Sequence, residues 1–518
     1  MAEKNKSSVK TIGLVMIITL VGKLMGLFRD RLLAINYGSG MEINAFLIAS
    51  RIPRVFFDAV FASAIAASFI PVFSELHEKR GKKEALDFSG NFITVIGVLS
   101  LVLTLFGVIF SDQLVALFSD FDPVTAALCS SLTRVMLPTV FFTGIAYSFV
   151  GILQSFDEFN IPALISVIAN GIIIVYFWVF NDRFGIYGLA IAFLIAWLMQ
   201  AVVQIPSLAK KGFRFRPKFS LKSEGMKKVF ALMLPVMVSA WVQPINLTIN
   251  TRFGSRLFEG AGVSAIELSN NLYIIIVGVF VLSITNVIFP KLSRQSAKNE
   301  KEGISDTVRT TMHTSLYFVI PMMAGLMVIS RPLIDLIYGG GEFGAFSIDI
   351  TSQALFFVSL GMVGYAVQAI LCRVYFAKQS GLVPLLAGVA SIAVNIVLCM
   401  LLIDKYNITG LAISSAVAST VNAIVLVIPL RRQGYGFLNK AFVADIIKIA
   451  VSTVAMAAAA YLTLTLLIPH TAGTLGKVIL VAVPVIVGAV IYFILTWALR
   501  LNEVKFVTSF IKKRIAKK

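Results

Sequence analysis

The sequence predicts an all-α protein that crosses a membrane about fourteen times, and three observations lead to this fold class. Hydrophobic residues make up 58% and charged residues only 14% of the 518 residues, a balance more apolar than a soluble core requires. The mean hydropathy is +0.89. Apolar runs of about 20 residues, long enough to cross a bilayer as a helix, recur from end to end. Because backbone groups in hydrocarbon must be paired within the protein, these runs predict helices.

The apolar runs, divided at polar and Gly- or Pro-containing stretches, give fourteen predicted spans. The first run follows a basic N-terminus, but it is long, carries charges and lacks a small-residue cleavage site, which favours a retained span over a cleaved signal peptide. The predicted spans are 11–36, 43–74, 87–111, 124–153, 160–181, 186–208, 229–252, 262–292, 307–330, 348–377, 381–403, 408–430, 441–468 and 476–500.

Positive charge is unevenly divided between the two sides of the predicted helix array. The side that holds both termini carries 31 of the 45 lysines and arginines, mostly in the connections 77–83, 209–228, 290–301 and 431–440. The opposite side carries six. Since basic loops stay cytoplasmic, both termini are predicted to be cytoplasmic. The same loops explain the net charge of +19, which indicates contact with anionic membrane lipids and not with nucleic acid.

Landmarks recur along the chain at nearly constant separations. GLAI begins at 188 and at 410, and prolines end two similar spans at Pro71 and Pro290, so the separations are 222 and 219 residues. This self-similarity predicts two copies of one six-span unit. An even number of spans gives both copies one orientation, which predicts two parallel lobes around a central cavity. The predicted domains are an N-lobe at 1–220, a C-lobe at 221–438, and an addition at 439–518 with two extra C-terminal helices and a basic cytoplasmic tail.

Charged side chains in the first two spans indicate where that cavity lies. Lys23, Arg29 and Asp30 fall in or at the edge of span 1, in GKLMGLFRDR (22–31), and span 2 contains Arg51 and Arg54. A charge at the centre of a membrane helix costs about 2.5–3.5 kcal/mol, so such residues face a bundle interior or water. The excess of positive charge predicts a site for an anion.

The other polar residues within spans are mostly amides. Asn250 in span 7 and Asn271 in span 8 share their helices with further polar residues, and the second copy thus contributes a mainly uncharged surface. Four asparagines stand alone in their spans, which is typical of hydrogen bonds between helices: Asn170, Asn286, Asn395 and Asn422.

The sequence lacks the motifs of an enzyme. There is no GxxxxGK[ST] phosphate-binding loop. The three histidines, His77, His313 and His470, are scattered and form no metal-binding motif. The longest connections, about 20 residues, are too short for a catalytic domain. We therefore expect a transporter without a cofactor or metal site.

Four stretches near the N-terminus resemble one family of membrane transporters. They are GKLMGLFRDR (22–31), YGSG (37–40), AFLIASRIP (45–53) and ASFIPVFSEL (67–76). These stretches are similar to the N-terminal signature of the MurJ (MviN) family, the lipid II flippases of the multidrug/oligosaccharidyl-lipid/polysaccharide exporter superfamily. The resemblance covers nearly the whole chain, since that family also has fourteen spans, a twofold repeat of six and an extra terminal pair. It implies export of lipid II, the undecaprenyl-pyrophosphate-linked peptidoglycan precursor, from the cytoplasmic to the outer leaflet of the bacterial cytoplasmic membrane.

The resemblance also implies which residues meet the substrate. Arg29 and Asp30 match the family's Arg-Asp pair in span 1. Lys23 stands where many members have an arginine, and Arg51 stands at a basic position of span 2. The predicted substrate-binding residues are Lys23, Arg29, Asp30, Asn44, Arg51, Arg54, Asn250 and Asn271.

Three positions depart from the family's pattern. Asn44 replaces a common aspartate, and Phe57 stands about where an arginine is typical. Asn271 stands where an arginine is typical in A-D-R-L, which here reads S-N-N-L. Arg54, one helical turn before Phe57, offers a partial substitute for the missing charge.

Two other transport functions remain as alternatives, a flippase for another undecaprenyl-linked oligosaccharide and a drug/cation antiporter of the multidrug-extrusion type. The antiporter is disfavoured because cationic drugs require acids in the cavity. Na⁺, H⁺ and the membrane potential stay open as the driving force, with Asp30, Asp58 and Glu267 as candidates for ion coupling. A two-lobed chain needs no partner subunit, so we expect a monomer.

Overall fold

The computed structural model describes the backbone of residues 2–503 except 58–64, 241 and 502; side chains are described over the same residues except 2–12, 66, 67, 234–243, 279, 282 and 286. Nearly all of these residues are helical, and within them the only β-structure is an isolated bridge between Gly340 and Phe343. The predicted all-α class is confirmed. Asp58 and the side chain of Asn286 lie outside the described residues.

The chain folds into two compact units, Met1–Ser264 and Ala265–Lys518. In the first unit a π-helical turn, Ile65–Phe69, precedes the third α-helix. The α-helices of this unit are α1 Ala2–Tyr37, α2 Met41–Phe57, α3 Ile70–Arg80, α4 Lys82–Ile109, α5 Ser111–Phe118, α6 Pro123–Met136, α7 Thr139–Ser155, α8 Asn160–Val179, α9 Asn181–Val202, α10 Ile205–Lys210, α11 Glu224–Ala240 and α12 Val242–Gly254.

Helix α13, Gly262–Tyr273, crosses the boundary into the second unit. A second π-helical turn, Ile274–Gly278, follows it. The remaining α-helices are α14 Val279–Ala297, α15 Lys301–Ile337, α16 Ala345–Ser359, α17 Met362–Ala377, α18 Leu382–Arg432, α19 Lys440–Leu467 and α20 Gly473–Ala498. The predicted lobe boundaries follow the sequence repeat, whereas the compact units follow packing, so the repeat boundaries stay a prediction.

The helices coincide with the predicted spans. Among the described residues, nine helical segments, some made of two consecutive helices, are long and apolar enough to cross a membrane, and the number rises to ten if the bent pair α16 and α17 is one span. Helix α18 contains two predicted spans, and its backbone leaves the helical region between them at Asn407, where φ is 48°. The described parts of the other predicted spans lie on α1, on α2 and α3, and on α11 and α12. The polytopic helical class is confirmed, and the number fourteen stays a prediction.

An aromatic cluster fixes the end of the second predicted span in the first unit. The ring of Phe69, in the π-helical turn, lies 4.5 Å from Phe92 and stacks on Phe88 at 5.6 Å, both on α4. A Cβ on Gly151 of α7 would lie 2.8 Å from the Phe69 ring. The glycine therefore lets α7 approach the turn, and burial of these rings stabilises the contact.

Helix α15 is the central element of the second unit, where it packs against α16, α17, α19 and α20. The hydroxyl of Tyr492 on α20 donates to the carbonyl oxygen of Tyr317 on α15 at 2.6 Å. Tyr317 also shares a hydrogen bond of 3.1 Å with Thr496. These buried bonds tie the C-terminal helix pair to α15.

Replacing Gly364 by alanine is expected to lower the stability of the second unit. Gly364 lies where α17 crosses α18, and a Cβ there would meet the backbone of Ser419 and Thr420 at 2.8 Å. Because backbone atoms must move to make room, we expect a loss of about 1–3 kcal/mol, measured by thermal unfolding in detergent. Gly325→Ala on α15, where nothing lies within 4 Å, is the control. Equal shifts in both variants would contradict the crossing geometry.

Candidate functional site

The charged segment of α1 is organised by its contact with α8. The Arg29 guanidinium donates twice to Asp30 Oδ1, from Nε at 3.1 Å and Nη2 at 2.7 Å, and its Nη1 donates to Asn170 Oδ1 at 3.1 Å. Asn170 in turn donates to the carbonyl oxygen of Gly22 at 3.1 Å. The prediction that Asn170 bonds between helices is confirmed. We call Arg29, Asp30 and Asn170 the Arg29 cluster.

Two glycines on α1 allow this close approach of α8. A Cβ on Gly22 would lie 3.2 Å from Ser166 Oγ, and one on Gly26 would lie 3.5 Å from Asn170 Nδ2. Small residues at helix crossings in membranes bring backbones close enough for such polar contacts. The glycines thus place the Asn170 amide within reach of both Gly22 and the guanidinium.

The predicted charged residues of α1 and α2 differ in solvent exposure. The Arg29 side chain is 26% exposed, whereas that of Asp30 is 10% exposed. Lys23 on α1 and Arg54 on α2 are exposed, and Arg51 is buried. The structure therefore brings Arg29 and Asp30 into contact and places the other three cations on the same two packed helices.

Asn44 is fully buried at the turn between α1 and α2. Its Nδ2 donates to the carbonyl oxygens of Ser39 at 2.8 Å and Gly40 at 2.6 Å. Its Oδ1 accepts from the backbone N–H of Ser264 at 3.0 Å. The side chain thus joins this turn to the start of α13. A direct contact with a substrate stays a prediction for this residue.

The remaining predicted substrate-binding residues, Asn250 and Asn271, are uncharged, and so is Phe57. Asn250 is buried on α12, and Asn271 is half-buried on α13. Phe57, where an arginine is typical of the family, is buried with its ring 4.7 Å from that of Tyr147. An aromatic contact thus takes the place of a charged side chain at this position.

An ion-pair network after α5 was not foreseen from the sequence. Arg252 Nη2 donates to Asp120 Oδ1 at 3.2 Å, and Arg256 Nε donates to Oδ2 at 2.6 Å. The Asp120 backbone N–H donates to Ser255 Oγ at 2.7 Å. Partial burial acts to raise the pKa of Asp120, but the hydrogen bond from Arg256 and the charge of Arg252 outweigh it and lower the pKa. This Asp120 network joins the end of α12 to the loop before α6.

A second network joins the start of α11 to α3. Lys228 donates to Glu75 at 2.9 Å, and Arg80 donates to Glu224 at 2.6 Å. The hydrogen bonds from Lys228 and from Lys79 lower the pKa of Glu75 to about 2. The lowered pKa keeps Glu75 ionised over the physiological pH range, so this Glu75 network does not respond to pH there.

The Glu75 network fixes the start of α11, and the Asp120 network fixes the end of α12. Both networks join these helices to the earlier helices of the first unit. Their partners are 132 to 153 residues apart in sequence, beyond the reach of helical periodicity. The one signal in the sequence was that Arg252 and Arg256 are two of the six basic residues on the sparsely charged side.

A family model described as "Lipid II flippase MurJ" matches residues 33–496. The chain belongs to the lipid II flippase MurJ family. This match confirms the resemblance to the MurJ family, and it includes three of the four N-terminal stretches, those at 37–40, 45–53 and 67–76. As a member of the MurJ family the protein is a transporter and not an enzyme, and it is a multi-pass protein of the bacterial inner membrane.

Relatives with the MurJ name match over most of their length. A probable lipid II flippase MurJ of Vibrio cholerae is 28% identical over 468 residues, which cover 88% of this chain and 89% of that protein. One of Treponema pallidum is 26% identical over 442 residues, 83% of each chain. The likeness therefore extends across both compact units.

Solved structures show the same fold. A lipid II flippase MurJ in an inward closed conformation superposes with a TM-score of 0.77 at 24% identity, covering 93% of this chain and 98% of that one. An inward-facing MATE-family multidrug resistance transporter of the MOP superfamily gives a TM-score of 0.67 at 15% identity, over 81% and 97%. The fold is thus shared with the wider superfamily, while the family match favours MurJ over the antiporter alternative.

Proposed function

We propose that the chain carries lipid II from the cytoplasmic to the outer leaflet by alternating access, and that the Arg29 cluster receives its pyrophosphate. The match of the MurJ model to residues 33–496 supports the substrate. The observation that carries the site is a partly exposed guanidinium held in place by an acid on its own helix and an amide on α8. Such a group is fixed before the anion arrives.

The charge of the first two helices suits a pyrophosphate. Residues 13–57 contain five basic and two acidic side chains, which leaves a net charge of +3. Arginine presents a planar fork that binds phosphate oxygens with paired hydrogen bonds, and an ammonium adds a compact point charge. On α1, the partly exposed Arg29 supplies a guanidinium and the exposed Lys23 supplies an ammonium group.

The contacts of Arg29 indicate which interaction makes phosphate binding favourable. Asn170 offers Nη1 a neutral acceptor. A phosphate oxygen that replaces it makes a charge-assisted bond, about twice as strong as a neutral one. Asp30 meanwhile keeps Nε and Nη2 oriented. Asp30 is therefore proposed to position the guanidinium and not to touch the anion.

The remaining predicted residues complete the proposed site. Arg51 and Arg54 on α2 provide charge for the second phosphate. Asn250 and Asn271 offer amides to the uncharged part of the headgroup. Asn44, whose amide is used within the protein, is proposed to act by holding the turn between α1 and α2.

The proposal extends to topology and energy supply. Both termini are proposed to be cytoplasmic, with repeat lobes at 1–220 and 221–438 around the cavity and the addition at 439–518. Basic cytoplasmic loops contact anionic lipids. The chain acts as a monomer without a cofactor or nucleic acid partner, driven by Na⁺, H⁺ or the membrane potential.

The test is the accessibility of lipid II on the outer leaflet of bacterial cells depleted of their own flippase. Cells that express this protein are expected to regain outer-leaflet lipid II, whereas cells with an empty vector are not. Membrane insertion is checked by immunoblot of the membrane fraction. A well-inserted protein that fails to restore accessibility would contradict the lipid II proposal and favour another undecaprenyl-linked oligosaccharide.

A further inference from the structure

A buried histidine in the second unit lies between two carboxylates from different segments. The Nδ1 atom of His313 on α15 is hydrogen-bonded to Glu503 Oε1, just past α20. Its Nε2 atom lies 3.3 Å from Asp445 Oδ2 on α19, within ion-pair distance but without the geometry of a hydrogen bond. The His313 side chain is 11% exposed, and the Glu503 side chain is 13% exposed. We call His313, Asp445 and Glu503 the His313 latch.

The surroundings of the latch add few other charges. Lys448 on α19 donates to Asp445 at 2.8 Å and so partly neutralises that carboxylate. The ring of Phe442, also on α19, lies 6.0 Å from the imidazole. In the described residues, Asp445 and Glu503 are the acidic groups within ion-pair distance of His313.

Other groups along α15 are already engaged. One turn before His313, Arg309 pairs with Asp306 on the same helix. One turn after it, the Tyr317 hydroxyl bonds to Thr496, and the Tyr492 hydroxyl on α20 bonds to the Tyr317 carbonyl oxygen. The imidazole is thus the titratable group at this junction whose ordinary range lies near neutral pH.

Hydrogen-bond counting indicates which form of the imidazole the latch requires. A neutral imidazole has one N–H and one acceptor nitrogen, so it can donate to only one of two carboxylates. The imidazolium has two N–H groups, so one serves the hydrogen bond to Glu503 while the other faces Asp445 in an ion pair. A carboxylate that faces a bare ring nitrogen is repelled, and in a buried site this repulsion is little screened.

We propose that His313 is a proton-binding site that latches α19 and the chain at Glu503 onto α15, and that loss of the proton releases them. Helices α19 and α20 both pack on α15, so the latch lies where this helix pair meets α15. The latch concerns the C-terminal addition, so it goes beyond lipid II binding and does not depend on which substrate the protein carries.

Hydrogen exchange of the full-length protein in nanodiscs, without lipid II, tests the latch. The peptides that contain residues 440–448 and 499–503 are followed at about pH 6 and about pH 9, a range that extends above the ordinary imidazole titration because two carboxylates stabilise the imidazolium. After correction for intrinsic exchange, we expect local opening to be about tenfold more frequent at the higher pH, the effect of losing one hydrogen bond to a charged group. An opening frequency independent of pH in the wild type would overturn the proposal.

Two variants and a control separate protonation from general damage. His313→Gln keeps a polar side chain that cannot titrate, so its opening should not change with pH. Asp445→Asn with Glu503→Gln removes both charges and should also abolish the pH response while leaving a neutral imidazole docked. His470→Gln changes an exposed histidine and should behave as wild type. A normal pH response in His313→Gln, or its loss in His470→Gln, would refute the latch, and neither result bears on lipid II flipping.

Discussion

Replacing Arg29 by alanine is expected to reduce lipid II flipping by about ten- to a hundredfold, since a hydrogen bond to a charged group contributes about 1.5–3 kcal/mol. The variant removes the guanidinium that Asp30 and Asn170 hold in place. The measurement is the accessibility of outer-leaflet lipid II in flippase-depleted cells at matched expression. Arg29→Lys restores the charge but cannot reach both Asp30 and Asn170, so we expect only partial recovery.

Loss of Arg29 also leaves the buried Asp30 carboxylate without this partner, which alone could destabilise α1. The double variant Arg29→Ala with Asp30→Asn removes that charge and should restore stability but not transport. Arg331→Ala is the matched control, because Arg331 is an exposed arginine paired with Asp349 at 3.0 Å. Full transport by a well-inserted Arg29→Ala protein would remove Arg29 from the substrate site.

The sequence predicts those features whose signal lies within one helix. Hydropathy located the helices, and polar residues at helical spacing identified Arg29 and Asp30, which the structure brings into contact. The lone asparagine in span 5 predicted a hydrogen bond between helices, and the structure places that bond between α8 and α1. The break between two spans appears at Asn407 within α18. In each case local chemistry determines the feature, because a polar group in an apolar helix must find a partner.

Contacts between distant segments could not be predicted in this way. Periodicity shows which face of a helix is polar, but it does not name the partner on another helix. The Asp120 network joins residues 132 apart, and the His313 latch joins residues 190 apart. In the sequence His313 is only an isolated histidine. Its two acidic partners become evident only when α15, α19 and the end of α20 are placed together.

Asn44 shows how the same limit affects the assignment of a role. The resemblance to the MurJ family placed Asn44 among the substrate-binding residues because an aspartate is common there. The structure shows its amide fully engaged by Ser39, Gly40 and Ser264. A polar residue that matches a substrate-binding position of the family can therefore instead stabilise the turn between α1 and α2. Stabilising the turn and contacting the substrate predict different outcomes on substitution.

Replacing Asn44 by leucine is expected to destabilise the first unit by about 2–4 kcal/mol, because the three hydrogen bonds of this buried side chain, each worth about 0.5–1.5 kcal/mol, are lost. In its protonated form Asn44→Asp keeps an acceptor for the Ser264 N–H and one donor for the two carbonyl oxygens, so an intermediate stability is expected. Thermal unfolding in detergent measures the first effect, and the lipid II assay measures transport by the folded protein.

The control for Asn44→Leu is Gln433→Leu, which replaces an exposed amide whose oxygen accepts from Lys378 at 2.6 Å and should change stability little. If Asn44 acts through the turn, Asn44→Leu loses stability and transport together, and Asn44→Asp, which resembles the common family residue, retains transport. If Asn44 instead contacts lipid II directly, Asn44→Leu should unfold near the wild-type temperature and still fail to transport. That second outcome would contradict the positioning role and return Asn44 to the substrate-binding surface.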